Sequence, residues 1–282
     1  MSDATLPATP MASARQRPVL RARVERIHDH CADTRSLFLK MTMDALPRFL
    51  PGMFISIAIP LAGDARVRPY TIASSPEDGE PFEICFNRVT DGPGAAWLFD
   101  RVAGDELNFT GPFGTFTLER PPAAETVLIA EGTAIVPIRP MIRRAIFSMP
   151  TDLQTNSGQI APTPDAAARY PIKLLYAADR PEHLLYANEF ERLAAAHAEF
   201  QFEPMIVSGH DSAARQARLL EEANRAALYA RLLDEAKRRW VAADADRSRH
   251  FYICGVGKAV LELRDLLRAA GYERRAVHYE QW

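Results

Sequence analysis

Two patterns of hydrophobic and polar positions divide the chain. From Val19 to about Leu118, short apolar runs alternate with polar residues and are separated by turns rich in Gly and Pro. This pattern predicts five or six short antiparallel strands in a barrel or sandwich, with one helix near Ala95–Val102. The predicted strands are Val19–Ile27, Ser36–Met41, Met53–Ile59, Arg68–Ala73, Phe82–Val89 and Glu106–Thr110.

After Pro121-Pro122, short continuous apolar runs alternate with helical segments. Continuous apolar runs are typical of buried parallel strands, and their alternation with helices indicates a doubly wound sheet. We therefore predict a disordered tail over residues 1–18, an antiparallel β-barrel domain over 19–121 and an α/β domain with a parallel sheet over 122–282. The predicted strands are Thr126–Ala130, Ile172–Ala177, Phe202–Val207 and Phe251–Cys254, and the predicted helices include Ile138–Phe147, Leu184–Ala196 and Lys258–Ala270.

Two further segments of the second half differ in their patterns. Met149–Pro171 contains five prolines or glycines and no apolar period, which predicts a long surface loop. Ala213–Trp240 is strongly helical, and we interpret it as a helix packed on the sheet, with a partner-binding helix as the alternative. Its apolar stripe recurs at three- and four-residue steps: Leu219, Ala223, Ala226, Ala230, Leu233 and Trp240.

Composition excludes several classes of protein. The formal net charge is −2, without the basic excess that is typical of nucleic-acid binders. The three cysteines, Cys31, Cys85 and Cys254, are far apart, so we expect neither a disulfide framework nor an iron–sulfur cluster, and a reducing cytoplasmic location. No apolar run approaches the roughly 20 residues of a membrane span. The seven histidines show no metal-ligand spacing, and we predict no metal.

Five short motifs carry the candidate chemistry. Arg68-Pro69-Tyr70-Thr71 ends a predicted strand and precedes, by about 25 residues, the turn Gly92-Pro93-Gly94-Ala95-Ala96. In the second half, two predicted strands each run into a glycine and then a helix, at Gly132-Thr133-Ala134 and at Cys254-Gly255. The chain ends with Glu280-Gln281-Trp282.

Taken together, these motifs resemble the ferredoxin–NADP⁺ reductase superfamily, and the resemblance extends from about Leu20 to Trp282. In that family an antiparallel barrel holds FAD and the following α/β domain binds a nicotinamide nucleotide. The resemblance implies an FAD-dependent reductase that takes a hydride from NADH or NADPH. It also implies a separate electron acceptor, such as a ferredoxin, a flavodoxin or an oxygenase component.

The resemblance assigns FAD to the barrel motifs. Arg68 would bind the pyrophosphate, because a guanidinium matches phosphate oxygens in a forked geometry. Tyr70 would lie along the isoalloxazine, and the Thr71 hydroxyl near flavin N5. Gly111-Pro112-Phe113-Gly114 resembles the family's turn that closes the barrel. The remaining FAD contacts implied are Pro69, the adenosine-side strand residues Cys85, Phe86 and Asn87, and the helix N-terminal residues Gly92, Gly94, Ala95 and Ala96.

The resemblance assigns the nucleotide to the second half. Its pyrophosphate would meet Gly132, Thr133 and Ala134, where Ala134 replaces a second glycine common in the family. Cys254 would lie beside the nicotinamide, next to Gly255, with Val256 in place of the family's proline.

The resemblance also gives roles to the chain end and to the groups near the adenosine 2′ position. The carboxyl-terminal Glu280 and Trp282 match positions where a terminal aromatic stacks on the flavin. The alternative for Trp282 is a buried cap on the last strand. Arg180 and Ser208 are the candidates near the 2′ position, with Arg215 or Arg218 as substitutes, and the choice between NADH and NADPH stays open.

Two other functions fit the same motifs. One is a different enzyme activity on the same fold, that of a free-flavin or quinone reductase or of the reductase subunit of an oxygenase. The other is a flavin-binding electron-transfer or sensory module with little or no nucleotide oxidation, which the replacements at Ala134 and Val256 motivate.

Overall fold

The first half of the chain forms a six-stranded antiparallel sheet. The structure is a computed structural model, and it describes residues 18–43, 45–61, 64–88, 92–147, 170–207, 228–242 and 246–282. The strand order is β4-β3-β6-β1-β2-β5. The strands and the helix between β5 and β6 are β1 (Leu20–Cys31), β2 (Thr34–Met41), β3 (Phe54–Leu61), β4 (Asp64–Thr71), β5 (Phe82–Asn87), α1 (Pro93–Phe99) and β6 (Glu106–Phe113).

Contacts between the two edge strands close this sheet into a barrel. An isolated bridge joins Ile72, just after β4, to Ile84 of β5. Beside it the Ala73 N–H donates to the Glu83 carbonyl at 2.7 Å. Alternate residues of each strand point inward, as the period-two pattern of β1 predicts, because successive side chains leave a strand on opposite faces. The barrel interior is therefore filled by apolar side chains, among them those of β3 at positions 55, 57 and 59.

The second half forms a five-stranded parallel sheet in the order β11-β10-β7-β8-β9. Every residue of β7 is buried, because helices cover both faces of the sheet. Helices α2 and α3 pack on one face, and α4 and α5 pack on the other. The elements are β7 (Thr126–Glu131), α2 (Ile135–Phe147), β8 (Ile172–Ala178), α3 (Ala187–Ala196), β9 (Phe200–Ile206), α4 (residues 228–242, π-helical over Lys237–Ala242), β10 (His250–Gly255), α5 (Lys258–Ala269) and β11 (Val277–Gln281).

The predicted fold class is confirmed: an antiparallel β-barrel is followed by a doubly wound parallel sheet. Most element boundaries agree within three residues, although β1 continues four residues beyond its predicted end and β4 begins four residues before its predicted start. Gly111–Gly114 does not form a separate turn. Its first three residues instead continue β6, where a register shift against β3 and the positive φ of Gly111 make the strand irregular.

The apolar stripe of α4 is shifted from its predicted position. Ala230 is exposed and Leu233 only half-buried, whereas the buried side follows four-residue steps through Leu228, Leu232, Ala236 and Trp240. The two large leucines set this face, because burial of a leucine gains more than burial of an alanine. The rest of the predicted Ala213–Trp240 stripe lies outside the described residues. So do the predicted disordered tail, apart from Pro18, and nearly all of the Met149–Pro171 loop.

One hydrophobic core is shared by both sheets. It contains barrel-side residues Ala73, Cys85, Phe116 and Leu118 together with residues of β7, β8, β10, α2 and α3. The Phe116 and Tyr252 rings meet across the junction with their centroids 6.0 Å apart. This continuous core holds the barrel against the end of the parallel sheet where the sequence motifs lie.

Candidate cofactor and nucleotide site

The two predicted FAD motifs of the barrel lie in contact. A Cβ atom added to Gly94 would lie 2.9 Å from Ile59 Cδ1 of β3, and 3.4 Å from Arg68 Cγ and 3.5 Å from Tyr70 Oη of β4. Gly92 caps α1 and Pro93 is its first residue, which suits a proline because the first helical N–H has no partner in the helix. The backbone of this turn therefore lies directly on the side chains of β4.

Arg68 is exposed, and its Nη1 donates to the Val67 carbonyl at 3.0 Å. Among the described residues, no carboxylate forms an ion pair with Arg68. An exposed guanidinium without an acidic partner beside a glycine-rich turn fits an anionic phosphate group. The residues present therefore fit the pyrophosphate of FAD.

Tyr70 and Thr71 are held differently. The Tyr70 ring meets Phe86 edge-on at 5.5 Å between centroids, and burial raises the pKa of Tyr70 to about 12. Its hydroxyl therefore keeps its proton at neutral pH and can donate a hydrogen bond. Thr71 ends β4 opposite Phe54 and is buried. Of the other predicted FAD contacts, Pro69, Asn87 and Ala96 are exposed, and Phe86 and Ala95 are buried.

Cys85 lies in the core shared by the two sheets. Burial raises the pKa of its thiol to about 12, so the thiol is protonated. Its position suits packing between the domains.

Glu83, two residues before Cys85, was not identified from the sequence. It is buried and accepts three hydrogen bonds at one junction. The donors are Ser36 Oγ at 2.6 Å, Tyr186 Oη at 2.7 Å and Arg139 Nη1 at 2.9 Å. Arg139 also donates to the Ala73 carbonyl at 3.0 Å and to Glu189 at 2.8 Å. Ala73, two residues after the end of the Arg68–Thr71 strand, is thereby tied to helix α2.

Strand register brings the nucleotide motifs together. Ala130 pairs with Cys254 and Cys254 pairs with Glu280 on adjacent parallel strands. Because parallel strands end at the same edge, Gly132 and Gly255 lie at one end of the sheet, where open α/β sheets bind ligands. Gly132 has a φ of +48°, and an added Cβ would meet nothing within 4 Å. This open approach fits the backbone of a nucleotide-binding turn.

The replacement at Ala134 points into the protein. Ala134 is 1% exposed and packs in the shared core with Ile135 and Val136. The carbonyl of Gly132 accepts a hydrogen bond from Tyr176 Oη at 2.8 Å, which fixes the turn. Thr133, between Gly132 and Ala134 in the sequence, is half-buried.

Two residues that were not singled out from the sequence lie at the same edge. Glu131 ends β7, is buried, and its Oε1 accepts from the Val256 N–H at 3.4 Å. The Tyr229 hydroxyl lies close against Gly255. Burial, then the nearby Glu131 carboxylate, raise the pKa of Tyr229. An acidic residue between an apolar strand and a glycine is a visible signal for Glu131, whereas nothing local marks Tyr229.

Cys254 and Glu280 both have raised pKa values. Burial, followed by the charges of Glu280 and Glu131, raises the pKa of the Cys254 thiol. Burial also raises the pKa of the Glu280 carboxyl. Because the thiol keeps its proton, Cys254 contributes shape at this edge.

Trp282 is not a buried cap, since the residue is 44% exposed. Its N–H donates to the Gly255 carbonyl at 3.0 Å, and the Gly257 N–H donates to the Trp282 carbonyl at 3.3 Å. The chain end is therefore fixed beside the Cys254–Gly255 motif while the indole stays accessible.

Arg180 lies at the junction of the two domains, 3.3 Å from Asp33 of the β1–β2 turn. It also lies 3.7 Å from Asp179 and 3.7 Å from Glu182. A nucleotide phosphate would have to compete with these carboxylates for it. The other candidate, Ser208, lies outside the described residues, as do Arg215 and Arg218.

Fold and site define a flavoprotein oxidoreductase that uses a nicotinamide nucleotide. Residues 21–118 match the family described as oxidoreductase FAD-binding domain, and residues 128–262 match the oxidoreductase NAD-binding domain. FAD and NAD(P)H are thus its cofactor and cosubstrate, as the motifs predicted. The chain belongs to the ferredoxin–NADP⁺ reductase superfamily.

Similar proteins agree with this membership. The chain is 28% identical to ferredoxin–NADP reductase B of Sorangium cellulosum over 235 residues, which cover 83% of this chain and 85% of that protein. It is 25% identical to the glycine betaine monooxygenase reductase subunit of Pseudomonas aeruginosa, covering 88% of this chain and 60% of that protein. The chain spans about half the length of several other oxygenase reductase relatives.

A solved structure shows the same fold. The ferredoxin NADP⁺ reductase of Neisseria gonorrhoeae, with bound FAD and NADP, superposes with a TM-score of 0.65 at 17% identity and covers 93% of this chain and 98% of its own. Within the described residues, no helix is both long and apolar enough to cross a membrane.

Proposed function

We propose that this protein is an FAD-dependent NAD(P)H reductase that passes electrons to a separate protein, a ferredoxin, a flavodoxin or an oxygenase component. The observation that supports the proposal is that Gly94 lies beside Arg68 and Tyr70, and we infer that these residues form an anion-binding cradle on the barrel. The names of the similar reductases, several of them components of oxygenase systems, support the acceptor class. Three free cysteines suit the reducing environment of a cytoplasmic location.

The proposal gives each domain one task. Residues 19–121 hold FAD and residues 122–282 hold the nucleotide, with the division within 119–125. The chemistry that bound FAD supplies is acceptance of a hydride from the nicotinamide and its onward release as electrons. The protein's residues bind, orient and exclude water.

On the barrel side, Arg68 binds the pyrophosphate while Gly94 lets the backbone of the turn approach it, since a side chain there would collide with Ile59 Cδ1 and fill the space beside Arg68 and Tyr70. Tyr70 and Thr71 offer hydroxyl groups along the flavin.

On the sheet side, Gly132 gives the nucleotide close access to the backbone, because its positive φ turns an open side to the cleft. The Cys254 thiol shapes the nicotinamide pocket in its protonated form. The exposed Trp282 indole covers the surface that the nicotinamide must reach, and it leaves when the nucleotide enters.

The test uses FAD-loaded protein under anaerobic conditions. Addition of NADH or NADPH should bleach the visible flavin absorption within seconds, and an oxidised ferredoxin or flavodoxin should restore it faster than free FMN or a quinone does. A flavin that stays oxidised with both nucleotides would favour the electron-transfer or sensory module. Equal or faster reoxidation by free FMN or quinone would favour the alternative function, a free-flavin or quinone reductase on the same fold.

A matched pair of variants locates the nucleotide site. Gly132→Val should keep bound FAD but lose bleaching by nucleotide, because the side chain fills the open approach. Gly104→Val is the control, since Gly104 also has a positive φ, of +100°, and open space around it, but lies in a barrel turn. If the two variants are bleached equally well, Gly132 does not contact the nucleotide.

A further inference from the structure

A cluster of three chemically distinct ligand groups lies where the two domains meet. Cys31 ends β1 and Asp33 lies in the β1–β2 turn of the barrel, and His183 comes from the turn after β8. The Cys31 thiol donates to Asp33 Oδ1 at 3.0 Å, and His183 Nε2 lies 3.2 Å from the same oxygen. One ligand atom from each residue lies within 4.8 Å of the others. Thiolate, imidazole and carboxylate groups are all zinc ligands in proteins.

The histidine of this cluster is oriented as metal-binding histidines are. His183 Nδ1 lies 2.5 Å from Asp179 Oδ1. When Nδ1 donates to a carboxylate, Nε2 carries the lone pair and the imidazole is held in one orientation. Here that Nε2 points toward Asp33 and Cys31. Thr34 Oγ1 in turn donates to Asp33 at 3.1 Å, so the carboxylate ligand is supported as well.

The charge around the cluster favours a cation. Carboxylates of Asp33, Asp179 and Glu182 surround one guanidinium, that of Arg180. An Arg180 nitrogen lies 2.8 Å from His183 Nε2 and 3.3 Å from Asp33, so it holds the place between imidazole and carboxylate. The Arg180 side chain is half exposed and can turn to solvent without breaking the core. The guanidinium thus marks a position that a metal cation would take.

We propose that Cys31, Asp33 and His183 form a zinc site that clips the barrel to the nucleotide domain. Zn²⁺ takes Cys31 Sγ, one Asp33 oxygen and His183 Nε2, with water as the fourth ligand, and it displaces the Arg180 guanidinium. The Cys31 proton is released to solvent on binding, because the thiolate is the ligand. Asp179 is the positioning residue that orients His183.

The first experiment measures protection of one thiol. Cys31 is the half-exposed cysteine among the three, and Cys85 and Cys254 are buried. FAD-loaded full chain is treated with iodoacetamide, with ZnCl₂ or with EDTA, and the Cys31 peptide is followed by mass spectrometry. Zinc should slow Cys31 alkylation about tenfold at a concentration ten times its Kd, as simple occupancy requires, and EDTA should restore the rate. Alkylation that zinc leaves unchanged would overturn the proposal.

Variants separate metal binding from docking of the domains. His183→Gln should abolish the protection, and Asp179→Asn should raise the zinc Kd about 10- to 100-fold in titration calorimetry. His197→Gln is the control, since His197 lies outside the cluster, near Glu199, and protection should be retained. If His183→Gln protects Cys31 as well as the wild type does, the cluster is an ion-pair contact between domains and the proposal fails. FAD absorption of each variant verifies that it is folded.

Discussion

The Tyr229 hydroxyl and Gly255 are in such close contact that a Cβ at position 255 would lie 2.3 Å from Tyr229 Oη. Helix α4 packs on the face of the sheet opposite α2 and α3, and through Tyr229 it thus reaches the edge where the nucleotide is proposed to bind. The φ of Gly255 does not require a glycine, so the contact with Tyr229, together with Val260 Cγ2 at 3.0 Å, is what excludes a side chain there.

Gly255→Ala should therefore destabilise the fold by about 1–3 kcal/mol, as overpacking does. Tyr229→Phe removes the clashing oxygen and leaves Val260 Cγ2 at 3.0 Å and the ring carbon Cζ at 3.4 Å from the added methyl. The double variant should recover part of the loss, which urea unfolding of the wild type, both single variants and the double variant would measure as a coupling. If the effects of the two substitutions were strictly additive, the Tyr229 hydroxyl would not be the group that requires a glycine at position 255.

Arg68→Ala should raise the Kd for FAD about tenfold to a hundredfold, since a hydrogen bond to a charged group contributes about 1.5–3 kcal/mol. Flavin reduction per bound FAD should change less, because Arg68 lies at the proposed pyrophosphate end. Fluorescence titration of the apoprotein gives the Kd. Arg21→Ala is the control, an exposed arginine of the same barrel that pairs with Glu106. An unchanged FAD Kd for Arg68→Ala would place the pyrophosphate elsewhere.

Trp282→Ser should tighten binding of the oxidised nucleotide and slow turnover, because the indole competes with the nicotinamide for one surface and product then leaves more slowly. Since the indole is 44% exposed, the stability loss should stay well below the roughly 3–5 kcal/mol of a core tryptophan. Nucleotide titration and thermal melting measure both. Tyr279→Ser is the control, since Tyr279 is an exposed aromatic of β11 that contacts Arg264 and Arg268 of α5, and it should leave the nucleotide Kd unchanged. A Trp282 variant that melts much earlier without binding nucleotide more tightly would refute the competition.

Arg139→Met should destabilise the protein by about 3–5 kcal/mol, because it leaves the buried Glu83 carboxylate without its cation. Adding Glu83→Gln should recover part of the loss, since the amide oxygen still accepts from Ser36 and Tyr186 without a charge. Arg23→Met, which breaks an exposed pair with Glu106, should cost at most about 1 kcal/mol. Urea unfolding compares the variants, and equal losses for Arg139→Met and Arg23→Met would contradict the role of the junction.

Stability should fall as the pH drops from about 6.5 toward 4, in part through His30. Burial, followed by the charge of His28, lowers the pKa of His30 to about 4 in the folded protein, whereas unfolded histidine titrates near 6.5. The folded state therefore binds the proton less well than the unfolded state. The contribution of His30 to the free energy of unfolding is complete above pH 6.5 and is lost progressively below it. Glu83 and Arg139 also face the ring. In His30→Gln, unfolding free energies at pH 7 and pH 4.5 should differ less than in the wild type; an identical difference would exclude His30 as a contributor.

Local sequence determined the two-domain architecture and the positions of the motifs. The alternation of Leu20, Ala22 and Val24 with arginines encodes a strand with one buried face, and the continuous run Thr126–Ala130 encodes a strand covered on both. Such patterns are local, because period and burial are properties of a single element. The shift of the α4 stripe shows their limit, since which helix side is buried depends on the sheet beneath it.

Tertiary structure alone decided which distant side chains meet. Glu83 meets Arg139, Tyr229 meets Gly255, and Cys31 and Asp33 meet His183, which is 150 residues beyond Asp33. No periodicity or spacing in the chain encodes these contacts. They arise because the shared core docks the barrel against the parallel sheet in one arrangement, and because parallel strands bring separate loops to the same edge.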